Sequence, residues 1–173
     1  LFKGLSPWMQ KLPGGLIHVN VVGCALFAAI SGSSAATVAT VGKMSIPELR
    51  KRNYPEKILL GSLAGSGTLG LLIPPSIILI IYGVAVQESI AKLFIAGVIP
   101  GIMIALIFMS YVIIWSLINK NKMPKILEEY SFLEKLKRSK QLLPVILLIS
   151  GVIGSIYTGI ATATEAASLG VVG

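Results

Sequence analysis

Aspartate is absent from this sequence, and cysteine and histidine each occur once. The lone cysteine, Cys24, excludes an internal disulfide, and its apolar neighbours indicate a core position. The lone histidine, His18, leaves no nucleophile–base pair for covalent catalysis, and the lack of aspartate argues against intramembrane aspartyl proteolysis. We therefore expect a protein that is not an enzyme.

Charged residues are also scarce, at 13% of 173 positions, whereas 54% are hydrophobic and the mean hydropathy is +0.85. Apolar runs at 58–86, 93–118 and 142–161 each reach or approach the ~20 residues that a spanning helix needs. The composition predicts an all-α integral membrane protein. Because the chain begins without methionine or a signal-peptide core and ends inside an apolar stretch, we expect a fragment of a longer protein.

The Lys and Arg residues lie mainly in the gaps between these apolar runs. A net charge of +8 could suggest nucleic acid, but no basic face interleaved with aromatic side chains is present, so we predict no nucleic-acid binding. If residues 16–46 leave and re-enter the membrane on one side, every Lys and Arg except Lys92 lies on that side. The positive-inside rule makes that side cytoplasmic.

Residues 16–46 fit a re-entrant helical hairpin. Their apolar halves, 16–30 and 35–46, are each too short to cross ~30 Å of hydrocarbon at ~1.5 Å per residue. They meet at a small polar tip, residues 31–34. A single kinked span of about 30 residues remains the alternative at this point.

The stretch "AGSGTLGLLIPPS", residues 64–76, contains the G-x-G-x-x-G spacing of a dinucleotide-binding turn. That site needs an uninterrupted helix after the glycines, and Pro74 and Pro75 follow Gly70 too closely to allow it. Leu71 occupies the lysine position of a Walker A motif. The sequence therefore excludes a nucleotide site.

The same stretch fits a discontinuous transmembrane helix over 58–86. The two prolines remove amide donors and free carbonyls around residues 68–73, which would be costly in hydrocarbon unless a cation or polar cavity uses them. Hydroxyls could complete an oxygen-only shell suited to a hard cation. They belong to Ser66, Thr68 and Ser76 here and to Ser31, Ser33, Ser34 and Thr37 at the hairpin tip. A proline kink with glycines packed against a neighbouring helix is the alternative.

Capping-box patterns divide the rest of the chain, because Ser45–Glu48, Ser131–Glu134 and Thr162–Glu165 each fit S/T-x-x-E and predict a helix start. After Ser131, apolar Phe132, Leu133, Leu136 and Leu143 lie opposite Lys135, Arg138 and Gln141, as in a helix lying in the membrane surface. The predicted segments are a cytoplasmic-side interfacial lead-in (1–15), the hairpin (16–46), a basic loop or short helix (47–57), the broken helix (58–86), a span (93–119), a linker with the surface helix (120–141) and a further span (142–173).

The motifs "SGSSAAT", "GTLGLLIPPS", "IPG" and "YTGIATATEAA", in this order, resemble the large membrane subunit of tripartite ATP-independent periplasmic (TRAP) transporters. The resemblance covers nearly the whole chain. It implies an elevator-type fold of inverted repeats in the bacterial inner membrane, with the second repeat beginning within 142–173. The family's second hairpin and second broken helix would follow residue 173.

The resemblance also implies a Na⁺-coupled importer of organic acids such as sialic acid or C4-dicarboxylates. A periplasmic solute-binding protein would deliver the substrate, and a small membrane subunit, separate or fused, would complete the transporter. Na⁺ would be the coupling ion, with no other cofactor. A carboxylate transporter without a binding protein and a non-transporting membrane scaffold remain the alternatives.

Carried over position by position, the resemblance implies two sets of site residues. The Na⁺ site would comprise Ser31, Gly32, Ser33, Ser34, Gly67, Thr68, Gly70, Ile73 and Pro75. The residues nearest the substrate would be Ser34, Thr37, Pro75 and Ser76.

Overall fold

The structure is a computed structural model that describes residues 2–124 and 132–158. Within these ranges the chain is helical and contains no strand, which confirms the all-α prediction. The α-helices are α1 (Phe2–Met9), α2 (His18–Ser31), α3 (Ser34–Lys51), α4 (Glu56–Gly67), α5 (Ile77–Ala85), α6 (Ile90–Ile118), α7 (Phe132–Ser139) and α8 (Leu143–Tyr157).

Helices α2 and α3 form a helical hairpin. Helix α2 ends at Gly32, whose φ of 59° lies in the left-handed region that glycine adopts without strain. The next residue, Ser33, is extended, and its hydroxyl accepts the Ala36 amide hydrogen at 3.4 Å as the cap of α3. Gly32 and Ser33 therefore reverse the chain within two residues, and α2 packs along α3.

Helix α3 extends past the predicted end of the hairpin at residue 46. It continues through Pro47 to Lys51, so the prediction that Ser45–Glu48 begins a new helix is wrong. Ser45 is buried inside this helix instead of capping one. Ile46 packs against the core and Leu49 is fully buried, and this burial outweighs the hydrogen bond that Pro47 removes.

Two ion pairs and one hydrogen bond lie at the turn between α3 and α4. Arg52 pairs with Glu48 at 2.9 Å, and Arg50 pairs with Glu56 across the turn. The Tyr54 hydroxyl accepts the amide hydrogen of Leu16 at 3.0 Å and so ties the turn to the start of the hairpin. Burial raises the pKa of the Tyr54 phenol further above its ordinary value.

The helix that follows is interrupted. Helix α4 ends at Gly67, a 3-10 turn covers Thr68–Leu71, and α5 begins at Ile77. The Leu71 carbonyl loses its usual helical donor because Pro75 has no amide hydrogen, and the Ser76 hydroxyl replaces that donor at 2.6 Å. The chain therefore leaves helical geometry between residues 72 and 76.

A buried polar seam joins α2 to α4. The Asn20 side-chain amide donates to the Leu59 carbonyl at 3.1 Å and to the Ser62 hydroxyl at 3.0 Å. The Ser66 hydroxyl lies 3.4 Å from the Asn20 carbonyl oxygen across the same interface, and it also donates to the Ser62 carbonyl of its own helix at 2.6 Å. Asn20 and Ser66 are fully buried, as is Cys24 on the same helix as Asn20. These bonds hold the first arm of the hairpin against the first half of the interrupted helix.

Helix α6 is the one helix in the described ranges that is long and apolar enough, by length and composition, to cross a membrane. It has 29 residues, and only 17% of its most apolar window is buried, so most of its surface faces outward. Helices α4, α5 and α8 are shorter, with 12, 9 and 15 residues.

Helix α7 begins where the surface helix was predicted and lies against α1. The linker residues 125–131, including the capping residue Ser131, lie outside the described residues. Residues 159–173 also lie outside the described residues. They include the predicted capping box at Thr162–Glu165 and most of the predicted start of a second repeat.

Candidate functional site

The hairpin tip lies directly against the interruption between α4 and α5. A Cβ added to Gly32 would be 2.7 Å from the Pro75 carbonyl oxygen, and one added to Gly70 would be 2.8 Å from the Ser33 carbonyl carbon and the Ser34 nitrogen. The amide of Ile77 also donates to the Gly32 carbonyl at 3.4 Å. The two backbones therefore touch without intervening side chains.

Hydroxyl groups organise the tip from inside. The Thr37 hydroxyl donates to the Ser33 carbonyl at 2.7 Å, and the Ser31 and Thr37 hydroxyl oxygens are 2.9 Å apart. Thr37 is fully buried, so it lies beneath the tip. Its bonds hold the two ends of the reversal together and leave Ser33 and Ser34 partly exposed.

The interruption contributes oxygen atoms of two kinds. The Gly70 carbonyl has lost both of its usual helical donors, because the Ile73 amide donates to Leu69 at 2.8 Å and Pro74 has no amide hydrogen. The exposed Thr68 hydroxyl donates to the Gly65 carbonyl at 2.7 Å, which leaves its lone pairs available to accept. Both are neutral ligands of the kind that hard cations prefer.

A pocket of about 400 Å³ lies beside this contact, between α3 and α4. Its lining consists of Ser34, Ala35, Val38, Ala39, Ala64, Gly67 and Thr68. None of these side chains is charged. In the described part of the chain, no group of three or more His, Cys, Asp or Glu side chains could hold a metal ion.

The structure divides the predicted site residues into three groups. Ser34, Gly67 and Thr68 line the pocket. Gly32, Ser33, Gly70 and Pro75 form the contact between tip and interruption, with Ser31 bonded beneath it. Of the remaining three, Thr37 and Ser76 are fully buried and form hydrogen bonds within the tip and the interruption, and the Ile73 side chain packs against Gly101 of α6.

The sequence did not single out the alanines of the pocket. Ala35 and Ala39 share one face of α3 with Ser34 and Val38, and Ala64 lies four residues before Thr68 on α4. Their helical spacing from predicted residues was the available signal, since residues four apart lie on the same face. Small side chains at these positions keep the pocket open.

A model of the family described as "Tripartite ATP-independent periplasmic transporter, DctM component" matches residues 8–173. This chain belongs to that family. The contact between hairpin tip and interrupted helix is thus a feature of a TRAP large permease, and the resemblance inferred from the motifs is confirmed. The family consists of transporter permeases, which also confirms that the chain is not an enzyme.

Several curated relatives resemble the chain over most of its length. The C4-dicarboxylate TRAP transporter large permease protein DctM of Pseudomonas aeruginosa is 43% identical over 159 residues, or 92% of this chain and 36% of the relative. The isethionate TRAP transporter permease protein DctMQ of Oleidesulfovibrio alaskensis is 38% identical (93% and 25%). The sialic acid TRAP transporter permease protein SiaT of Haemophilus influenzae is 40% identical (96% and 27%). The chain thus spans about a third of these relatives or less.

Proposed function

We propose that this chain forms the first half of the transport unit in a Na⁺-coupled importer of organic acids. The observation that carries the proposal is the direct contact between the hairpin tip and the interrupted helix. There, residues that carry uncharged hydroxyl and carbonyl oxygens lie beside a pocket with small, neutral walls. Discontinuous helices that meet in this way form the ion sites of many secondary transporters.

Na⁺ is the ion that fits this oxygen chemistry best among coupling ions. The Gly70 carbonyl and the Thr68 hydroxyl are available from the interruption, and Ser33 and Ser34 come from the tip. Neutral ligands bind a monovalent cation without the fixed counter-charge that would slow its release. The full proposed set is Ser31, Gly32, Ser33, Ser34, Gly67, Thr68, Gly70, Ile73 and Pro75.

The pocket beside this ion site is the proposed place for part of the substrate. The relatives are named for C4-dicarboxylates, isethionate and sialic acid, which are all organic acids. A bound cation next to the pocket would attract such an anion, and Ser34 is shared by both sites. We propose Ser34, Thr37, Pro75 and Ser76 as the substrate-proximal residues, with Thr37 and Ser76 acting from beneath through their hydrogen bonds.

The remaining parts of the transporter follow from family membership. We propose that a small membrane subunit, separate or fused, and a periplasmic solute-binding protein work with the full-length permease in the bacterial inner membrane.

An elevator movement would carry the hairpin and the interrupted helix together, and the buried seam at Asn20 would keep them together. If the transporter needs no binding protein, vesicles that contain it would take up substrate when no binding protein is added.

Replacing Thr68 with Val tests the ion site. Valine keeps the shape of the side chain but deletes the hydroxyl oxygen, and losing ~1.4 kcal/mol of binding would lower ion affinity tenfold. We expect Na⁺-dependent uptake by the complete transporter to need about tenfold more Na⁺ for half-maximal rate. Thr68→Ser is the control, because it keeps the oxygen. If Thr68→Val and Ser34→Ala both leave the Na⁺ dependence unchanged, these hydroxyls are packing groups.

A second test concerns the re-entrant path of the hairpin. Both of its ends should lie on the cytoplasmic side, since α2 and α3 run side by side from one tip. Cysteines placed at exposed Lys11 and Arg50 should both react with a membrane-impermeant thiol reagent only in inside-out vesicles. Labelling of the two positions from opposite sides would instead establish a single kinked span.

A further inference from the structure

Helices α1 and α7 together form a basic platform at one edge of the molecule. It consists of Trp8 and Lys11 from the α1 region and of Lys135, Lys137 and Lys140 from the α7 region. The Trp8 indole nitrogen donates to the Ser139 hydroxyl at 2.8 Å, and the Lys135 ammonium lies 5.6 Å from the centre of the Trp8 ring. The cation–π contact and the hydrogen bond hold the Trp8 ring against Lys135 and Ser139 of the α7 region.

The platform combines outward charge with outward apolar surface. Lys11, Lys137 and Lys140 are exposed, and the Trp8 side chain is 42% exposed although its nitrogen is bonded. Leu136, next to Lys137, is 53% exposed. An indole and a leucine beside ammonium groups are typical of the level at which a membrane's headgroups meet its acyl chains.

Among the residues that the structure describes, few acidic side chains belong to the two regions that form the platform. The sequence has no acidic residue before Glu48, so the α1 region carries none. Helix α7 carries one, Glu134, in its first turn, while its other charges are basic. The described charges of the two regions are therefore mostly positive, which suits an anionic partner.

We propose that the basic platform binds the headgroup of an anionic phospholipid. Lys135, Lys137 and Lys140 would neutralise the phosphate, and Leu136 would contact the upper acyl chain. Juxtamembrane lysines gain affinity for anionic lipid near the surface, and the gain is lost within a Debye length. A lipid fits better than an acidic protein surface because the half-exposed indole and leucine need an apolar layer directly beneath the charges.

The experiment uses the full-length permease, purified with its membrane partner and titrated with phosphatidylglycerol or phosphatidylcholine. Retained lipid is counted by native mass spectrometry. We expect the combined Lys135→Gln, Lys137→Gln and Lys140→Gln variant to bind phosphatidylglycerol at least tenfold more weakly than the wild type. The corresponding Arg variant should retain binding. The matched control removes the same charge from three other exposed lysines, Lys43 and Lys51 on α3 and Lys57 on α4, and should change binding less than twofold.

Three outcomes would overturn the proposal. Equal loss in the control variant would mean that total charge attracts the lipid. Equal retention of phosphatidylcholine, whose headgroup has no net charge, would mean that the platform does not recognise the negative net charge of the lipid. Dissociation of the membrane partner with unchanged lipid binding would make the platform a protein interface. None of these outcomes depends on the Na⁺ site, so the proposal fails or stands separately from the proposed function.

Discussion

Replacing Gly70 with Ala is expected to abolish Na⁺-dependent uptake. The new Cβ would lie 2.8 Å from the carbonyl carbon of Ser33 and the nitrogen of Ser34, and 2.9 Å from the Ser33 carbonyl oxygen. All three atoms belong to backbone, which cannot rotate away as a side chain can. Either the tip or the interruption must shift, and the proposed ligands on the two segments would separate. We expect at least a hundredfold loss of uptake at any Na⁺ concentration, with stability lowered by about 1–3 kcal/mol.

Two control variants show whether the close approach is the cause. Gly61 lies in α4, before the interruption, and a Cβ added there would have no atom within 4 Å. Gly61→Ala should preserve uptake and stabilise the helix by about 0.5–1 kcal/mol. In Gly101→Ala the added Cβ would lie 2.9 Å from a side-chain atom of Ile73, and the backbone of Ile73 would be at an ordinary contact distance of 3.8 Å, so an intermediate loss is expected. Wild-type uptake by Gly70→Ala would show that the contact between tip and interruption is not required.

Replacing Asn20 with Leu should destabilise the permease by about 1–3 kcal/mol, observed as a lower apparent Tm in detergent. Asn20 is fully buried and donates to both the Leu59 carbonyl and the Ser62 hydroxyl. Leucine removes both hydrogen bonds and leaves the Ser62 hydroxyl facing an apolar group. Because the seam joins the hairpin to α4, uptake should fall together with stability.

A double-mutant cycle isolates the bond across the seam. Asn20→Ala and Ser62→Ala should be non-additive by about 0.5–3 kcal/mol, as is usual for directly bonded residues. Ser110→Ala is the control, because that exposed hydroxyl bonds only the Leu106 carbonyl of its own helix. Its effect should stay within about 0.5 kcal/mol. Strict additivity of the Asn20 and Ser62 variants would show that the bond between these two side chains does not contribute to stability.

Two local sequence signals predicted a helix boundary within α3 that the structure does not have, because tertiary packing overrode them. The pattern at Ser45–Glu48 is a valid helix-start signal, and Pro47 is a valid helix-breaking signal, yet α3 runs through both. The burial of Leu49 and the packing of Ile46 decide the outcome, and these contacts come from residues distant in the sequence. A capping box reports only local hydrogen bonds, so it could not predict this extension.

The sequence by itself determined the class of the protein and the positions of its two irregular elements. Hydropathy predicted an all-helical membrane chain, glycine and serine predicted the reversal at residues 31–34, and Pro74 with Pro75 predicted the interruption, because these effects act within a few residues. Motif order determined the family. Only the tertiary structure placed Gly32 against Pro75, Gly70 against Ser33, and Thr37 and Ser76 beneath the site. Such contacts join segments about 40 residues apart, and they depend on how α2, α3 and α4 pack, which no local pattern specifies.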